Sequence, residues 1–390
     1  MIYTLTTTFI CADQIVQWYD IIDNQDYLKY KNIHHSPQND IQTPYNFFKK
    51  NVDSNFGLEF STNDLLIVDL GYLHGESPTD NVLEEVEKNI KKLSDTLFKK
   101  IIVISKDLTP VDVYSNDKVE ILSPNHVNYI EKKFNYYLLN ASFSKIQNTS
   151  FELFKNFKYI SRNKKSTLLM GGFKPHRTLL YNFVKKQNML DDMYISYMCY
   201  NVDNLKDEGY HSHFFDKNIF DKNKVLNIIS YEEFINLKKD LPIFLDGNMD
   251  EDNFNLLPPL PYITNSYVHI VECNLEGDNM LYTDEKTFRP FLTFSIPLFL
   301  GQRGLYQLLK NYGFDVFDDF FDIGKDDEAD DIERMKSYFE NIKKIHDMSY
   351  SDLQLFYIES HERILHNYNK LRELGNQQIE EFIKKINEYN

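Results

Sequence analysis

The 390-residue sequence is poor in the residues that mark several protein classes. It holds 13 glycines, 12 prolines and one tryptophan, which excludes a collagen-like chain or a disordered chain rich in proline and glycine. Its three cysteines, Cys11, Cys199 and Cys273, are far apart and odd in number, so they predict neither a zinc site nor a disulfide framework. This cysteine usage favours a reducing compartment.

Long apolar runs and an excess of positive charge are also lacking. No stretch approaches the roughly 20 apolar residues that span a bilayer, and no basic stretch precedes the mildly apolar start, as it would in a secretion signal. We therefore expect a cytoplasmic protein without a membrane span. The net charge of −16 repels a polyphosphate backbone at long range, which disfavours general affinity for nucleic acid.

What the sequence does contain is a repeated alternation of buried strands and amphipathic helices. In the first half, apolar runs at 64–70, 100–107 and 118–125 predict strands, and helical spacing follows the first of them. In the second half, strands are predicted at 166–172, 193–200, 267–274 and 295–301, with helices at 175–190, around 285–294 and at 304–314. Residues 332–390 are predicted to be helical.

This order predicts an α/β protein with parallel sheets, because a strand, a helix and a strand in succession form a right-handed crossover. The pattern restarts after residue 160, so we expect two Rossmann-like domains facing each other across a cleft. The predicted boundaries are 1–160, 161–355 and 356–390, and the last range contains C-terminal helices that pack back.

Basic residues are concentrated in the segment 154–177, which carries no acidic residue. Its members are Lys155, Lys158, Arg162, Lys164, Lys165, Lys174 and Arg177. Within it a predicted strand is followed by Gly171–Gly172 and then a helix start, where backbone N–H groups and the helix dipole attract anions. The sequence therefore predicts an anion site at Lys174 and Arg177, while the earlier lysines also fit a solvated linker.

A second candidate lies where Glu285 and Lys286 begin a predicted helix. A carboxylate there can accept both hydroxyls of a ribose, and the ammonium group can neutralise a phosphate. By spacing alone, an ordinary surface ion pair is the favoured interpretation, because Glu-Lys at a helix start is common.

Around these residues the chain resembles the α1,3-fucosyltransferase family and its viral and phage relatives. The family motif Tyr-x-Thr-Glu-Lys is matched at Tyr282, Glu285 and Lys286, followed by the strand IPLFLG, while Asp284 stands where the family has threonine. The segment VECN at 271–274 is similar to a Glu-Asn stretch of the family, and KPHRTLLYNF is similar to its arginine-bearing helix start at Arg177. Arg289–Pro290 and the later segment LLKNYGFDVFDDFFD also resemble the phage-like branch.

The resemblance covers about residues 160–325 and implies a GT-B fold with inverting glycosyl transfer. The implied donor-binding residues are Arg177, Tyr282, Glu285, Lys286, Lys174 and Glu272. It implies a nucleoside-diphosphate sugar as co-substrate, a glycan or other hydroxyl compound as acceptor, and no further cofactor. The sugar stays open between hexose, fucose and pentose, and a viral source would place the protein in the host cytoplasm.

The general base is expected in the first half, since the resembling family uses a carboxylate from that domain. The segment after the strand at 64–70 offers Glu76 as first choice, His74, and Asp69 at the strand's end. The carboxyl ends of parallel strands are where α/β proteins present reactive groups. Each of the three residues also fits a solvated or loop-bridging role.

No metal site is predicted. The Asp-x-Asp pair Asp250 and Asp252 fits an acidic turn, and the histidine pairs His34–His35 and His211/His213 are not expected to ligate a metal. Two alternative functions stay open. One is a phage-type enzyme that glycosylates a hydroxymethylated base in DNA, supported by the basic residues of 154–165. The other is a degenerate, non-catalytic module that binds nucleotide sugars.

Overall fold

The computed structural model describes most of the chain from residue 161 onward and selected strands before it. The described residues are 2–7, 30–36, 65–70, 91, 94, 95, 98–105, 116–122, 125–127, 161–197, 215–241, 243, 245, 260–273, 280–283, 285–325 and 330–389. The predicted base candidates His74 and Glu76, and the lysines Lys155 and Lys158, lie outside them.

The described strands and helices alternate along much of the chain. The strands are β1 (Ile2–Thr7), β2 (Tyr30–Ser36), β3 (Leu65–Leu70), β4 (Lys100–Ser105), β5 (Val119–Leu122), β6 (Asn125–Val127), β7 (Lys164–Met170), β8 (Met193–Tyr197), β9 (Ser266–Glu272), β10 (Met280–Tyr282) and β11 (Ile296–Leu300). The α-helices are α1 (Pro175–Lys186), α2 (Lys217–Lys222), α3 (Tyr231–Leu237), α4 (Leu260–Thr264), α5 (Glu285–Leu292), α6 (Leu305–Asn311), α7 (Asp331–Asp347), α8 (Tyr350–Glu359) and α9 (His361–Tyr389).

The first sheet has the order β2-β1-β3-β4-β5, and all its pairings are parallel. The apolar centres of β3 and β4 are almost completely buried, as continuous apolar runs in parallel sheets require. The prediction of a parallel sheet here is confirmed. The strand predicted at 118–125 is wrong in extent, because β5 ends at Leu122 and a separate strand, β6, follows.

The second sheet has the order β11-β9-β7-β8 and is also entirely parallel. All four of its strands were predicted, with ends displaced by no more than three residues. The predicted strand at 166–172 ends at Met170, so Gly171 and Gly172 form the connection to α1 instead of the strand's end.

Both sheets contain a point where the winding direction reverses. In each of them the second strand lies beside the first, and the third strand lies on the first strand's other side. In the second sheet this reversal falls between β7 and β9. Ligands of open α/β sheets bind at the carboxyl ends of the strands that flank such a point.

Helices cover the second sheet on both faces. On one face α1 buries Leu179, Leu180 and Val184, and it meets α7 through the stacked rings of Phe183 and Phe339, whose centroids are 4.3 Å apart. On the other face, α5 and α6 bury a second apolar cluster around Phe291. Burial of these apolar side chains is the main force that holds helices and sheet together.

Among the described residues, contacts at β10 and at the end of α9 join the strands before residue 130 to the chain after residue 260. Strand β10 pairs with β6 in antiparallel orientation, with Tyr282 opposite Asn125. At the end of α9, Lys385 pairs with Glu120 of β5 and the hydroxyl of Tyr389 donates to the same carboxylate at 2.6 Å. The α/β class is thus confirmed, whereas the cleft between two domains and the boundaries at 160 and 355 stay predictions.

The prediction that residues 332–390 are helical is confirmed up to Tyr389, in the three helices α7, α8 and α9. The side chain of Ser349 accepts a hydrogen bond from the backbone N–H of Asp352 and so begins α8. Of the described helices, none has both the length and the apolar character needed to cross a membrane.

Candidate functional site

The connection between β7 and α1 forms one side of the candidate site. Pro175 occupies the first turn of α1, where its missing N–H costs nothing and its fixed φ favours the helix. Lys174 precedes it in an extended conformation, and the first turn carries no acidic residue. The positive end of the α1 dipole therefore lies at the carboxyl edge of the sheet, beside the reversal point.

A buried ion pair lies directly behind this helix start. Glu272 is the last residue of β9, and its side chain is completely buried. Arg177 places Nη2 2.7 Å from Glu272 Oε1, and its Nη1 donates to the carbonyl oxygen of Gly172 at 2.6 Å. His176 Nε2 lies 3.0 Å from Glu272 Oε2. Thus each carboxylate oxygen faces one partner from α1.

The electrostatics of this cluster favour an ionised glutamate and a neutral histidine. Burial alone would raise the pKa of Glu272, but Arg177 and the hydrogen bond from His176 outweigh it and lower the pKa to about 2. Burial lowers the pKa of His176 despite the neighbouring carboxylate. Because an ionised carboxylate only accepts hydrogen bonds, the neutral His176 carries its proton on Nε2 and donates it to Glu272.

The start of α5 forms the other side of the candidate site. Tyr282 ends β10, and Glu285 and Lys286 are the first residues of α5, as the motif predicted. The Lys286 side chain is partly exposed. Thr283, which stands one position before the family's threonine, is completely buried, so the displaced residue faces the interior.

The structure therefore brings Lys174, Arg177 and Glu272 to the carboxyl ends of the adjacent strands β7 and β9. The start of α5, which carries Lys286, lies beside the end of β9, since Cys273 Sγ is 3.7 Å from Thr287 Oγ1. Glu272 differs from the others, because its side chain has no exposed surface and contacts His176 and Arg177. Its predicted direct contact with a donor stays a prediction. Its observed contact is with the arginine.

The basic residues of 154–177 that the structure describes are divided between opposite ends of the sheet. Arg162 is buried at the amino end of β7, where it donates to the carbonyl oxygens of Ser266 at 2.5 Å and Phe294 at 3.1 Å. Lys165 donates to the carbonyl oxygen of His346 at 2.7 Å and lies 3.0 Å from Asp192. Arg162 and Lys165 thus have partners within the protein and lie away from the anion site predicted at Lys174 and Arg177.

The physical reason is the extended strand between them. Strand β7 spans seven residues, Lys164–Met170. At about 3.3 Å per residue it separates its two ends by roughly 20 Å. Residues close in sequence thus lie at opposite edges, and only Lys174 and Arg177 lie at the edge where ligands bind.

Of the base candidates, only Asp69 has a described backbone. It is the penultimate residue of β3, paired in register with Thr6 of β1 and Ile104 of β4. Strands β1 and β3 flank the reversal point of the first sheet, so the segment after β3 leaves from the edge where reactive groups are expected. Glu76 and His74 stay predictions.

Within the described ranges, no group of three or more His, Cys, Asp or Glu side chains is arranged to hold a metal ion. Asp250, Asp252, His211 and His213 lie outside those ranges. His34 and His35 lie in β2.

Sequence reasoning missed His176 and the pairing of β6 with β10. His176 stands next to Arg177, but its partner Glu272 is 96 positions away, and no local pattern predicts that contact. A scan against protein-family models and searches of curated proteins and of solved structures gave no match.

Proposed function

We propose that the protein is an inverting, metal-independent glycosyltransferase that moves a sugar from a nucleoside-diphosphate sugar to an acceptor hydroxyl. The observation that carries the proposal is the position of Arg177. It lies at the start of α1 beside Gly171–Gly172 and is held by a buried carboxylate at the reversal point of a parallel sheet. This is the place where α/β proteins bind nucleotides through a helix start.

In the proposed reaction the acceptor oxygen attacks the anomeric carbon, and the bond from that carbon to the diphosphate oxygen breaks. The electron pair of the broken bond stays on the diphosphate, where negative charge accumulates. Arg177, Lys286 and the dipole of α1 would stabilise that charge, and fixed dipoles and cations aimed at developing charge are an effective form of catalysis. Attack from the opposite face inverts the configuration at the anomeric carbon.

The acceptor proton would pass to a carboxylate from the first half, with Glu76 as first candidate and His74 and Asp69 as alternatives. A partly desolvated carboxylate has a raised pKa, which suits it to act as a general base near neutral pH. Tyr282 and Glu285 would bind the nucleoside. Three scattered cysteines fit a cytoplasmic location for the reaction.

A hydroxyl acceptor other than DNA is the better-supported choice. The alternative of a DNA-base glycosyltransferase depended on the basic residues of 154–165. The described members of that segment are engaged at the amino end of β7, away from the proposed donor site. The net charge of −16 also opposes binding to a polyphosphate backbone.

The test begins with thermal-shift measurements against a panel of nucleoside diphosphates and nucleotide sugars, followed by calorimetry with the best binder. We expect at least one nucleoside diphosphate to raise the melting temperature. Lys286→Ala should then weaken its binding by about 1.5–3 kcal/mol, the scale of a charged hydrogen bond.

Lys164→Ala is the matched control, because Lys164 lies on the same sheet at the opposite end, where it bonds the Asp191 carbonyl. It should leave the affinity unchanged. Equal binding by wild type and Lys286→Ala would contradict the site. Absence of binding across the whole panel would contradict the function. Binding without sugar transfer to any hydroxyl acceptor would favour the non-catalytic module.

A further inference from the structure

The contact between His176 and Glu272 has no direct part in the chemistry proposed above. His176 lies in the first turn of α1, the place from which a side chain could reach an anion, yet it is buried and bonded to the sheet. Its side chain is only 6% exposed, and that of Glu272 is 0% exposed. A polar pair so deeply buried costs free energy unless its hydrogen bonds are satisfied, so its geometry is strongly constrained.

We infer that His176 and Glu272 are positioning residues, which hold the Arg177 guanidinium in the orientation that receives the diphosphate of a nucleotide. The inference rests on the proposed function and extends it to a residue that would not touch the substrate. His176 fixes Glu272 through Oε2 at 3.0 Å, and Glu272 fixes Arg177 through Oε1 at 2.7 Å.

The second contact of the guanidinium completes the constraint. Arg177 Nη1 donates to the Gly172 carbonyl at 2.6 Å, so its two terminal nitrogens have fixed directions, one toward β9 and one toward the turn after β7. A planar fork held at both ends loses little further rotational freedom when an anion binds. Hydrogen bonds from neighbouring residues to a ligand-binding side chain keep that side chain within a fraction of an ångström of the position in which it binds.

Loss of the His176 donor should therefore act on nucleotide affinity and not only on stability. Without it, Glu272 Oε2 is buried without its hydrogen bond, and the carboxylate is free to rotate toward Arg177 or away from it. The guanidinium would then sample several orientations, and binding would have to select one of them. The apparent affinity should then equal the intrinsic affinity multiplied by the fraction of time that the guanidinium spends in the competent orientation.

The experiment compares four purified full-length variants by calorimetric titration with uridine diphosphate, guanosine diphosphate and inorganic pyrophosphate. His176→Leu keeps the bulk and removes the donor. His176→Gln places an amide N–H near the position of Nε2, whereas His176→Asn places it near Nδ1. His346→Leu is the control, because His346 is also buried and bonded, through Nε2 to Ser166 Oγ at 3.0 Å, at the other end of β7.

We expect His176→Leu and His176→Asn to weaken diphosphate binding about tenfold or more, a change that corresponds to roughly 1.4 kcal/mol. His176→Gln should bind within a few-fold of the wild type. His346→Leu should lower the melting temperature while leaving the dissociation constant unchanged. In steady-state transfer, the KM for the nucleotide sugar should rise in His176→Leu while the KM for the acceptor stays constant.

Wild-type affinity in folded His176→Leu would overturn the inference, as would an equal loss of affinity in His346→Leu. If His176→Leu does not fold, equal affinities of the Gln and Asn variants would overturn it instead. A wild type that binds none of the three anions contradicts the proposed function itself. Failure of the inference alone has a different signature, in which the wild type binds a diphosphate and folded His176→Leu binds it equally well.

Discussion

The two ends of the second sheet use buried basic residues in opposite ways. At the amino end, the partners of Arg162 are three backbone carbonyls, those of Ile263, Ser266 and Phe294, and the hydroxyl of Tyr357. Its planar group thus joins β7 to β9, to the turn at Phe294 and to α8. At the carboxyl end, the partner of Arg177 is the carboxylate of Glu272, beside a glycine turn and a helix start.

The two ends differ in the groups that surround each guanidinium. Backbone carbonyls and the Tyr357 hydroxyl accept hydrogen bonds from the two terminal nitrogens of Arg162 in a fully enclosed place. Burial there lowers the pKa of Arg162, while Tyr357 raises it. The carboxyl end adds the positive dipole of α1 and the partly exposed Lys286. Burial of an arginine is thus no guide to its role. Its role follows from the strand end at which it lies and from the other groups assembled there.

The largest expected effect comes from removing the charge at the carboxyl end. Glu272→Gln should lower the free energy of unfolding by about 3–5 kcal/mol, because it leaves a buried guanidinium without its counter-ion. Urea denaturation would measure the loss. The double variant Glu272→Gln with Arg177→Met should recover much of it, since no buried charge remains. A single variant as stable as the wild type would mean that the pair is not an ion pair in solution.

Acid should lower the free energy of unfolding through groups at both ends. Burial lowers the pKa of His346 at the amino end and of His176 at the carboxyl end, so both contribute to the loss below pH 6.5. Burial, followed by the charge of Lys165, lowers the pKa of His346 to about 4, below that of the unfolded chain. The unfolded state therefore binds protons first, and stability falls as pH drops from about 6.5 to about 4, by roughly 3 kcal/mol for this group at 1.36 kcal/mol per pH unit.

The carboxyl end should lose a further contribution at lower pH. The pKa of Glu272, about 2 in the folded protein, is below its unfolded value, so its contribution is present above about 4.5 and lost as pH falls toward 2. Denaturation at a series of pH values would show both ranges. His346→Leu should flatten the curve between pH 6.5 and 4. An unchanged slope in that variant would rule out His346 as its source.

The transfer reaction should also require the carboxyl end of the first sheet, where the general base is expected. Glu76→Gln should lower turnover by about 10²-fold or more, the usual share of general-base catalysis, without changing donor affinity. Steady-state rates and calorimetry would be measured on the same preparation. Normal turnover in Glu76→Gln with a loss in His74→Ala or Asp69→Asn would move the role to that residue. Full activity in all three variants would place the base elsewhere.

The smallest expected effect is that of a chelator on the transfer rate. If Arg177 and Lys286 neutralise the leaving diphosphate, as proposed, a molar excess of EDTA should leave the transfer rate unchanged. Rates with and without EDTA, and after addition of Mn²⁺, would test this. A rate abolished by the chelator and restored by Mn²⁺ would direct attention to Asp250 and Asp252.

The sequence predicted correctly those strands whose apolar pattern reflects the burial of the same residues. Continuous apolar runs predicted β3, β4 and the four strands of the second sheet, because strands buried on both faces need such runs. Strand β1, IYTLTT, and strand β2, YKNIHHS, have no such run and were missed. Their pairing depends on neighbours supplied by the rest of the sheet.

The sequence predicted those features of the candidate site that lie close together along the chain, but not the contacts between distant residues. Gly171–Gly172 and the start of α1 are adjacent in sequence, so their combination was visible. The contacts of Glu272 with His176 and Arg177 join residues 95 or more positions apart, and they depend on β9 lying beside β7. Grouping Arg162 with Arg177 failed for the converse reason, since a strand carries sequence neighbours apart.

The contact of α9 with β5 has a consequence for the order of events during synthesis. Glu120 meets Lys385 and Tyr389, which are made 265 and 269 residues later. Ribosomes add about 5–20 residues per second, so on the order of ten seconds or more passes before these partners exist. The first sheet therefore acquires these contacts only after the whole second sheet has been translated, and until then Glu120 lacks both partners.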